Sequence, residues 1–270
     1  MTRQTPDSPP AQPHLPARSM TLARPFFLSS CLLGIACFTL CSASEAATVT
    51  ISPVKDNTIF SELGNNSNGG GGLFIGRTNP AGGIRRTLVQ FDILGNIPAG
   101  AVIDSVSVSF VQNKIGPGLD ANFELRKLTR IWGEGSVVGI GQGAAAGAGD
   151  ATWNSAANGS TSWTTAGGDF GSVSATTGFS STNTTYTFSS TSALIADVQN
   201  WLNNPSTNFG WLIKATDEVA VNARELGSRE GPANQRPSLV ISYTVVPEPA
   251  SIGLMGALIA LGSVSRRRKI

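Results

Sequence analysis

The side chains that most often act as nucleophiles, general bases and metal ligands are confined to the first part of the chain. The only histidine is His14, and the three cysteines are Cys31, Cys37 and Cys41. If this N-terminal part is removed, as argued below, the remaining chain has neither imidazole nor thiol. This excludes Ser-His-Asp and Cys-His nucleophiles, histidine-ligated zinc and disulfides from it. The remaining chemistry belongs to carboxylates, lysines, arginines and two tyrosines.

Paired carboxylates are the first remaining candidates for catalysis. Glycoside hydrolysis uses two of them, and Glu134, Glu225 and Glu230 are the residues that could form such a pair. The stretch R-E-L-G-S-R-E favours instead salt bridges of Glu225 and Glu230 with the neighbouring Arg224 and Arg229. We therefore predict that the protein is not an enzyme. A weak polysaccharide-cleaving activity remains as an alternative.

Oxygen ligands for calcium are the second candidate. Asp120, Asn122 and Asp150 lie in turn-rich segments, and calcium prefers carboxylate and amide oxygens. No EF-hand loop pattern accompanies them. We predict no cofactor, with a structural calcium ion at these three residues as the alternative.

The N-terminal segment has the pattern of a secretory signal peptide. A positive flank at Arg24 is followed by an apolar stretch and by small residues up to Ala47. We predict cleavage after Ala46 or Ala47, and a start at Met20 would give a leader of normal length. Residues 1–47 are therefore assigned to a leader and signal peptide.

The C-terminal segment reads as a sorting signal. Pro247, Glu248 and Pro249 precede an uncharged, Gly-rich run of about 16 residues, shorter than the roughly 20 that a helix needs to cross a bilayer. Four cations follow directly: Arg266, Arg267, Arg268 and Lys269. The order resembles the PEP-CTERM tail of Gram-negative bacteria, in which a membrane exosortase removes the hydrophobic segment. Residues 246–270 are predicted to be this sorting and transient anchor segment, with a hydrophobic helix.

Removing both ends reverses the sign of the net charge. The full chain carries a formal charge of +2, but 12 basic and 15 acidic residues lie between Thr48 and Pro249. The central part is therefore near −3, which removes the electrostatic basis for binding nucleic acid.

The central segment, residues 48–245, alternates short apolar and polar runs separated by Gly, Ser, Thr and Asn. This pattern predicts an all-β sandwich. The clearest strand is Ser105 to Phe110, and Arg85 to Ile93 is predicted to be a strand covered on both faces. Ser192 to Asn203 has helical spacing, with Thr191 or Ser192 as N-cap and Trp201 as anchor. Gly133 to Gly149 is predicted to be a flexible surface loop, because it has little to bury.

Ordered sequence blocks in this central segment resemble the DNRLRE family of disaggregatase-related domains. They are D-N-T-I-F, G-G-L-F-I-G-R, R-R-T-L-V-Q-F-D-I, I-P-A-G-A-V-I-D-S-V-S-V-S-F, R-I-W-G-E, A-T-W-N, L-I-A-D-V-Q-N-W-L-N-N-P, N-F-G-W-L-I-K, R-E-L-G-S-R-E and R-P-S-L-V-I-S-Y. Together they cover nearly all of Lys55 to Tyr243, with a Gly/Ala-rich insertion between Trp132 and Trp153. The resemblance implies a jelly-roll β-sandwich of the carbohydrate-binding-module type.

The resemblance also implies contact with polysaccharide, in some members through basic side chains that hold uronates. Arginine presents a bidentate fork to a carboxylate, so the candidate residues are Lys55, Arg77, Arg85 and Arg86. The alternative is that these cations pair with Asp56, Asp92 or Glu62. A neutral glycan would instead need an exposed aromatic ring, for which Trp153 and Trp163 are candidates, with packing as the alternative.

These inferences together predict an exported protein at the outer surface or in the extracellular matrix of a Gram-negative bacterium. Its sandwich would bind or organise exopolysaccharide in a biofilm. Its processing partners would be signal peptidase and exosortase. A purely structural matrix protein without a defined glycan site is the competing hypothesis.

Overall fold

The computed structural model describes residues 45–79, 82–115, 120–139, 141–180 and 182–245. The predicted leader before Glu45 lies outside these residues. So does the predicted sorting signal, with Pro247, Glu248, Pro249 and Arg266 to Arg268. The predicted cleavage sites, after Ala46 or after Ala47, lie at the second and third residues of the first strand.

The described residues form fifteen strands and a single α-helix, so the all-β prediction is confirmed. The strands are β1 (Glu45–Ile51), β2 (Pro53–Phe60), β3 (Asn66–Asn68), β4 (Leu73–Asn79), β5 (Gly82–Phe91), β6 (Val102–Ile115), β7 (Ala121–Leu128), β8 (Ala144–Ala145), β9 (Ser155–Ala157), β10 (Thr161–Ser162), β11 (Phe170–Phe179), β12 (Thr184–Phe188), β13 (Trp211–Ala215), β14 (Arg224–Leu226) and β15 (Ser238–Val245). Helix α1 is Ser192–Asn203, between β12 and β13.

The first sheet is built around β6. This strand pairs antiparallel with β15 and β14 along one edge and with β12 along the other, and β1 extends the sheet beyond β15. The predicted alternation in S-V-S-V-S-F is confirmed, because Val106, Val108 and Phe110 are each at most 1% exposed. One face of the sheet therefore carries the apolar residues that the sequence pattern assigned to it.

The second sheet is built around β5. Strand β2 lies along one edge of β5, followed by β3 and β8, and β13 lies along the other edge, followed by β7 and β11. Val89 and Phe91 of β5 belong to the main core, whereas Leu88 belongs to a second core on the opposite face. The prediction that this strand is covered on both faces is therefore confirmed.

Strand β4 joins the two sheets. Its first half pairs with β14 of the first sheet, and its second half pairs with β5 of the second. The change of partner occurs at Gly76. Its φ is +85°, which is in the left-handed region. Asn222 lies so close to its Cα that a Cβ would be 2.5 Å from Asn222 Oδ1. Only glycine meets both conditions. The main core lies between the joined sheets and takes apolar residues from both.

Helix α1 has the predicted bounds and the predicted cap. Thr191 Oγ1 accepts a hydrogen bond from the backbone N–H of Leu194. The helix contacts β6 and β11, and its Trp201 packs edge-on against Trp211 of β13, with 4.5 Å between ring centroids. Within the described residues no helix is both long enough and apolar enough to cross a bilayer.

The segment between β7 and β11 covers the outer face of the second sheet. Its residues form a second core with that face, made of Ile59, Leu88, Leu128, Trp132, Ala151, Ala156, Trp163 and Leu212. Trp132 and Trp163 each donate an indole hydrogen bond of 2.8 Å to a backbone carbonyl. Two polar groups that would otherwise be buried without partners are thereby satisfied.

The Gly/Ala-rich stretch within this segment differs from the prediction of a loop with nothing to contact. Gly69 N–H donates to Val137 O, Gly139 N–H donates to the side chain of Asn68, and β8 pairs with β3. Close approach of backbone to backbone holds this stretch against the residue that follows β3: a Cβ on Gly69 would lie 1.9 Å from Gly135 O. The prediction considered side-chain burial and missed the contacts made by the main chain.

The apolar alternation from Thr48 to Val54 is shared by two strands. Strand β1 ends at Ile51 and β2 begins at Pro53. The two strands belong to different sheets. A continuous apolar alternation does not reveal a change of sheet, because the alternation is the same on both sides of it.

Candidate functional site

A groove of about 510 Å³ lies at the outer face of the second sheet, and we call it the arginine groove. It is lined by Arg86 of β5, by Thr129 and Arg130 after β7, by Thr164, Thr165, Ala166, Gly168 and Asp169, and by Phe170 of β11. Its volume is in the range of small-ligand sites. Its lining combines two guanidinium groups, three threonine hydroxyls and one aromatic ring.

Arg86 is the fixed part of the groove. Its Nε and Nη2 donate to the two carboxylate oxygens of Glu218 at 2.8 and 2.7 Å, and Nη1 donates to Gly167 O at 2.8 Å. The guanidinium carbon lies 4.7 Å from the ring centroid of Trp153 and 5.4 Å from that of Phe170. The bidentate ion pair and the two rings hold this side chain in one orientation.

Arg130 is the more accessible cation. Its side chain is 38% exposed, its Nε donates to Asp169 Oδ2 at 2.6 Å, and Nη2 donates to the hydroxyl of Thr164 at 3.1 Å. Nη1 has no hydrogen-bond partner among the described residues. Arg130 is therefore positioned and still has a donor to offer to a ligand.

Asp169 organises the wall of the groove. Its carboxylate accepts hydrogen bonds from the backbone N–H groups of Thr164 and Thr165 and from the hydroxyl of Thr164. Burial by itself would raise the pKa of Asp169, but these hydrogen bonds and the one from Arg130 outweigh it and hold the pKa below its ordinary value. Asp169 is therefore an ionised acceptor and not a proton donor at neutral pH.

Charges of alternating sign continue from the groove across β5, β13 and β7. Lys214 Nζ lies 3.5 Å from Glu218 Oε2 and 3.3 Å from Glu124 Oε1, and Arg126 lies 2.6 Å from the same oxygen of Glu124. Burial alone would raise the pKa of Glu124, but Arg126 and Lys214 lower it below the ordinary value. Together with Arg86, this row contains three cations and two anions, so it leaves one positive charge in excess beside the groove.

The other three candidate cations do not line the arginine groove. Lys55 Nζ donates to Trp132 O at 2.6 Å and lies 4.3 Å from the ring centroid of that tryptophan. Its pKa is lowered by burial, which Glu134 partly opposes. Arg77 donates to the backbone carbonyls of Asn79 and Glu218. Of the four candidate cations, Arg86 is the one that lines the groove.

Arg85 is buried, and the sequence-suggested pairing with an acidic residue is what the structure shows for it. It is 3% exposed, and it forms an ion pair of 2.6 Å with Glu62, one of the partners that the sequence suggested. It also donates to the carbonyls of Gly83 and Gly141. Arg85 and Arg86 are consecutive in β5, so their side chains leave opposite faces of the sheet. The ion pair and these hydrogen bonds hold the Arg85 guanidinium inside the protein, away from the arginine groove.

The two candidate tryptophans also separate. Trp163 is 5% exposed and belongs to the second core, so packing is the correct interpretation of this residue. Trp153 is only partly buried and packs against the same core, with Arg86 over its ring. Trp153 therefore supports the arginine groove by holding Arg86.

The three candidate calcium ligands do not converge. Asp120 and Asn122 line a different cavity at the beginning of β7. Asp150 is 2% exposed, and its Oδ2 accepts hydrogen bonds from Ser136 Oγ and Gly147 N–H at 2.9 and 2.8 Å. Asp150 stabilises the Gly/Ala-rich stretch, so a calcium site made of these three residues is not supported.

The structure instead brings together three carboxylates, of which the sequence grouped only the last two: Asp56 of β2, Glu134 and Glu230. One oxygen of each lies within 4.8 Å of the others. Arg229 lies among them, with its Nε 2.7 Å from Glu134 Oε1 and 2.7 Å from Glu230 Oε1. The guanidinium supplies the positive charge that this cluster needs.

Asp56 is the buried member of this carboxylate cluster. It is 0% exposed, its Oδ2 accepts a hydrogen bond from Arg229 N–H at 2.8 Å, and its Oδ1 lies 3.2 Å from Ser228 Oγ. Burial raises the pKa of Asp56 to about 7, and the hydrogen bonds from Arg229 and Ser228 only partly oppose it. The negative charges of Glu230 and Glu134 act in the same direction as burial.

The proposed glycosidase carboxylates are only partly brought together. Glu134 and Glu230 bind the same guanidinium, as predicted for the Glu230–Arg229 pair, but Glu225 forms its ion pair with Lys114 at 2.8 Å and not with Arg224. Glu134 and Glu230 line neither the arginine groove nor the cavity at Asp120.

A scan against protein-family models finds no match for this chain, and a search of curated proteins finds no significant relative.

Proposed function

We propose that this protein is an exported, non-catalytic polysaccharide-binding protein and that the arginine groove holds acidic sugar units. Its two facing sheets would be a jelly-roll β-sandwich of the DNRLRE type. The proposed ligand is a uronate-containing polysaccharide such as an exopolysaccharide of the cell surface. No cofactor is part of the proposal.

The proposal is carried by one observation: a fixed arginine, Arg86, and a more accessible one, Arg130, line the same polar groove. The excess positive charge of Arg86, Lys214 and Arg126 over Glu218 and Glu124 favours an anionic ligand. The exposed guanidinium of Arg130 suits a carboxylate, and Thr164 and Thr165 offer hydroxyls for sugar hydroxyl groups. Because these side chains are already held in place, little conformational entropy is lost when a ligand binds.

We infer that the protein is not catalytic from the carboxylate of Asp169, which lines the arginine groove. Hydrolysis needs an acid and a base or nucleophile on the two sides of the scissile bond. Among the described residues, Asp169 is the only carboxylate that lines the arginine groove, and it is held ionised by four hydrogen-bond donors. A structural matrix protein without a glycan site remains the alternative, and the binding experiment below distinguishes the two.

Arg130→Ala is expected to weaken binding of a uronate oligosaccharide by about tenfold or more, because a charge-assisted contact is lost. Isothermal titration calorimetry would measure this. The matched control is Arg236→Ala, which removes another exposed arginine that donates to Gly231 O outside the groove. Its affinity is expected to stay within twofold of the unchanged protein.

Three results would contradict this assignment. If the unchanged protein does not bind uronate or neutral oligosaccharides, the structural alternative takes its place. If Arg130→Ala and Arg236→Ala weaken binding equally, the contact is unspecific attraction by surface charge. Release of smaller sugars during the titration would show that the protein is an enzyme.

Export and sorting are proposed from the two ends of the chain. Ala46 and Ala47 are exposed or half-buried residues at the beginning of β1, so cleavage there would leave the buried Ile51 in place. The mature protein recovered from its source is expected to begin at Ala47 or Thr48 and to lack the apolar run and the four C-terminal cations. Intact-mass spectrometry tests this, and a mature protein with both ends retained would refute it.

A further inference from the structure

The carboxylate cluster of Asp56, Glu134 and Glu230 lies where three parts of the fold meet. Asp56 belongs to β2, and Glu230 follows β14. Glu134 belongs to the segment between β7 and β11, residues 129–139 and 141–169, which we call the cover segment. The backbone N–H of Asp56 donates to Glu134 Oε1 at 3.0 Å. The cluster is therefore a point at which the cover segment is attached to the second sheet.

Among the described residues, the charges of this cluster balance when Asp56 carries a proton. Arg229 forms ion pairs of 2.7 Å with Glu134 and with Glu230. Lys55 is the second cation, and its ammonium group is attracted to Glu134. One guanidinium and one ammonium group thus neutralise two carboxylates. Ionisation of Asp56, which is 0% exposed, would add a third negative charge that water does not reach.

Glu134 is one of the two groups that can relieve the resulting repulsion. The side chains of Glu134 and Glu230 are 26% and 35% exposed, so both can move toward water, whereas Asp56 cannot. If Glu134 moves, it loses the hydrogen bond from the Asp56 N–H. Ionisation of Asp56 therefore weakens the attachment of the cover segment at Glu134.

Backbone hydrogen bonds connect Glu134 to the part of the cover segment that carries Trp153. Gly133, the residue before Glu134, donates from its N–H to Ala156 O at 2.9 Å, and its carbonyl accepts from Ala151 N–H at 2.9 Å. Trp153 lies between these two partners in the chain. A displacement of Glu134 is therefore passed to both sides of Trp153.

Trp153 in turn contacts the arginine groove. Its carbonyl accepts from Gly167 N–H at 2.6 Å, and Gly167 O accepts from Arg86 Nη1 at 2.8 Å. Its ring centroid lies 4.7 Å from the guanidinium carbon of Arg86. Gly168 and Asp169, which follow Gly167, line the groove. The contacts from Asp56 to the fixed arginine and to the groove wall are therefore continuous.

We propose that Asp56 is a pH-dependent switch for the arginine groove. When Asp56 is protonated, Glu134 holds the cover segment in place and the groove binds uronate. When Asp56 is ionised, the cover segment loosens and the groove loses its preformed shape. This rests on the proposed function, since it assigns a regulation to the same site. Burial, reinforced by the charges of Glu230 and Glu134, raises the pKa of Asp56 to about 7, so the switch operates near neutral pH.

The groups of the groove itself keep their charge in this range. Arg86 and Arg130 carry guanidinium groups, which stay protonated in proteins. The pKa of Asp169 is held below its ordinary value by its hydrogen bonds, and a uronate carboxylate is ionised above about pH 5. No imidazole lies in the described part of the chain. Lys55 is the other group of the cluster that could titrate, because burial lowers its pKa.

The test is isothermal titration calorimetry with a uronate oligosaccharide at about pH 6 and about pH 8. If the protonated form alone binds, the competent fraction falls from about nine-tenths to about one-tenth, so the affinity is expected to fall about tenfold. Asp56→Asn carries no charge at either pH and is expected to bind equally at both. Asp104→Asn is the matched control, because it changes an exposed carboxylate that accepts from Thr244, and it should keep the fall.

Hydrogen exchange of the Gly133 and Ala151 amides follows the switch without a ligand. After correction for the intrinsic effect of pH, both amides are expected to exchange about tenfold faster at the higher pH in the unchanged protein, and not in Asp56→Asn.

Equal uronate affinity at the two pH values would overturn the proposal. A fall that persists in Asp56→Asn would also overturn it, and would assign the effect to Lys55 or another group. Exchange rates that do not differ between the two pH values would do the same. If uronate binds at neither pH, the proposed function fails, and the exchange rates still show whether Asp56 controls the cover segment.

Discussion

Trp201→Ala is expected to lower the free energy of unfolding by about 3–5 kcal/mol, the usual cost of removing a large aromatic side chain from a core. Trp201 is 1% exposed and packs 4.5 Å from Trp211, measured between ring centroids. It attaches the only described α-helix to the second sheet. Removing it would open a cavity between α1 and β13 and also remove the ring that Lys127 approaches to 5.9 Å.

Urea denaturation followed by tryptophan fluorescence and circular dichroism would measure this loss. Ala196→Gln is the control, because Ala196 is exposed in the middle of the same helix. It should change the free energy of unfolding by less than about 0.5 kcal/mol. A loss below about 1 kcal/mol for Trp201→Ala would mean that α1 is not an integral part of the core.

Stability is expected to fall as the pH rises from about 4 to 7, because of Asp56. Its folded pKa of about 7 exceeds the ordinary value of 3.8, so the folded state retains a proton on this residue that the unfolded state has already lost. The folded state therefore binds more protons between about pH 4 and 7, and stability is lost as the pH rises through the folded pKa. The expected loss is up to about 4 kcal/mol.

Denaturant unfolding at several pH values measures this slope, and Asp56→Asn should flatten it. Asparagine preserves the acceptor for Arg229 N–H and carries no charge at any pH, so the variant should exceed the unchanged protein in stability at pH 8. Asp104→Asn, which changes an exposed carboxylate, should keep the slope. If stability still falls with pH in Asp56→Asn, another titratable group causes the fall. The pKa of Asp56 is then not raised by its burial beside Glu134 and Glu230.

The parts of the fold that follow from local periodicity could be predicted from the sequence. The S-V-S-V-S-F alternation located β6, and the 3.6-residue spacing with Thr191 as cap located α1 at its observed bounds. Strand β11 was missed, because F-G-S-V-S-A-T-T-G-F has little apolar alternation and is defined by its pairing with β7. The switch of β4 between sheets was also missed, because it depends on the contact of Gly76 with Asn222.

The site could be predicted only where a charged residue stands in a recognisable block. Arg86 was selected from R-R-T-L-V-Q-F-D-I, but its partner Glu218 lies 132 positions away and gives no local signal. Arg130 lies in R-I-W-G-E, so the block contained the accessible arginine without identifying it. Asp56 joins Arg229 across 173 positions. A single sequence carries no information on pairs of this kind, since each depends on the tertiary arrangement of both segments.

The antiparallel register of β1 with β15 places Glu45 opposite Val245. A chain whose first and last described residues are neighbours enters and leaves the domain at a single corner. The two ends could therefore be connected by a short linker and new ends opened in a surface loop, as in a circular permutant. The same geometry would let the whole domain be inserted into a loop of a host protein without separating the two halves of that loop.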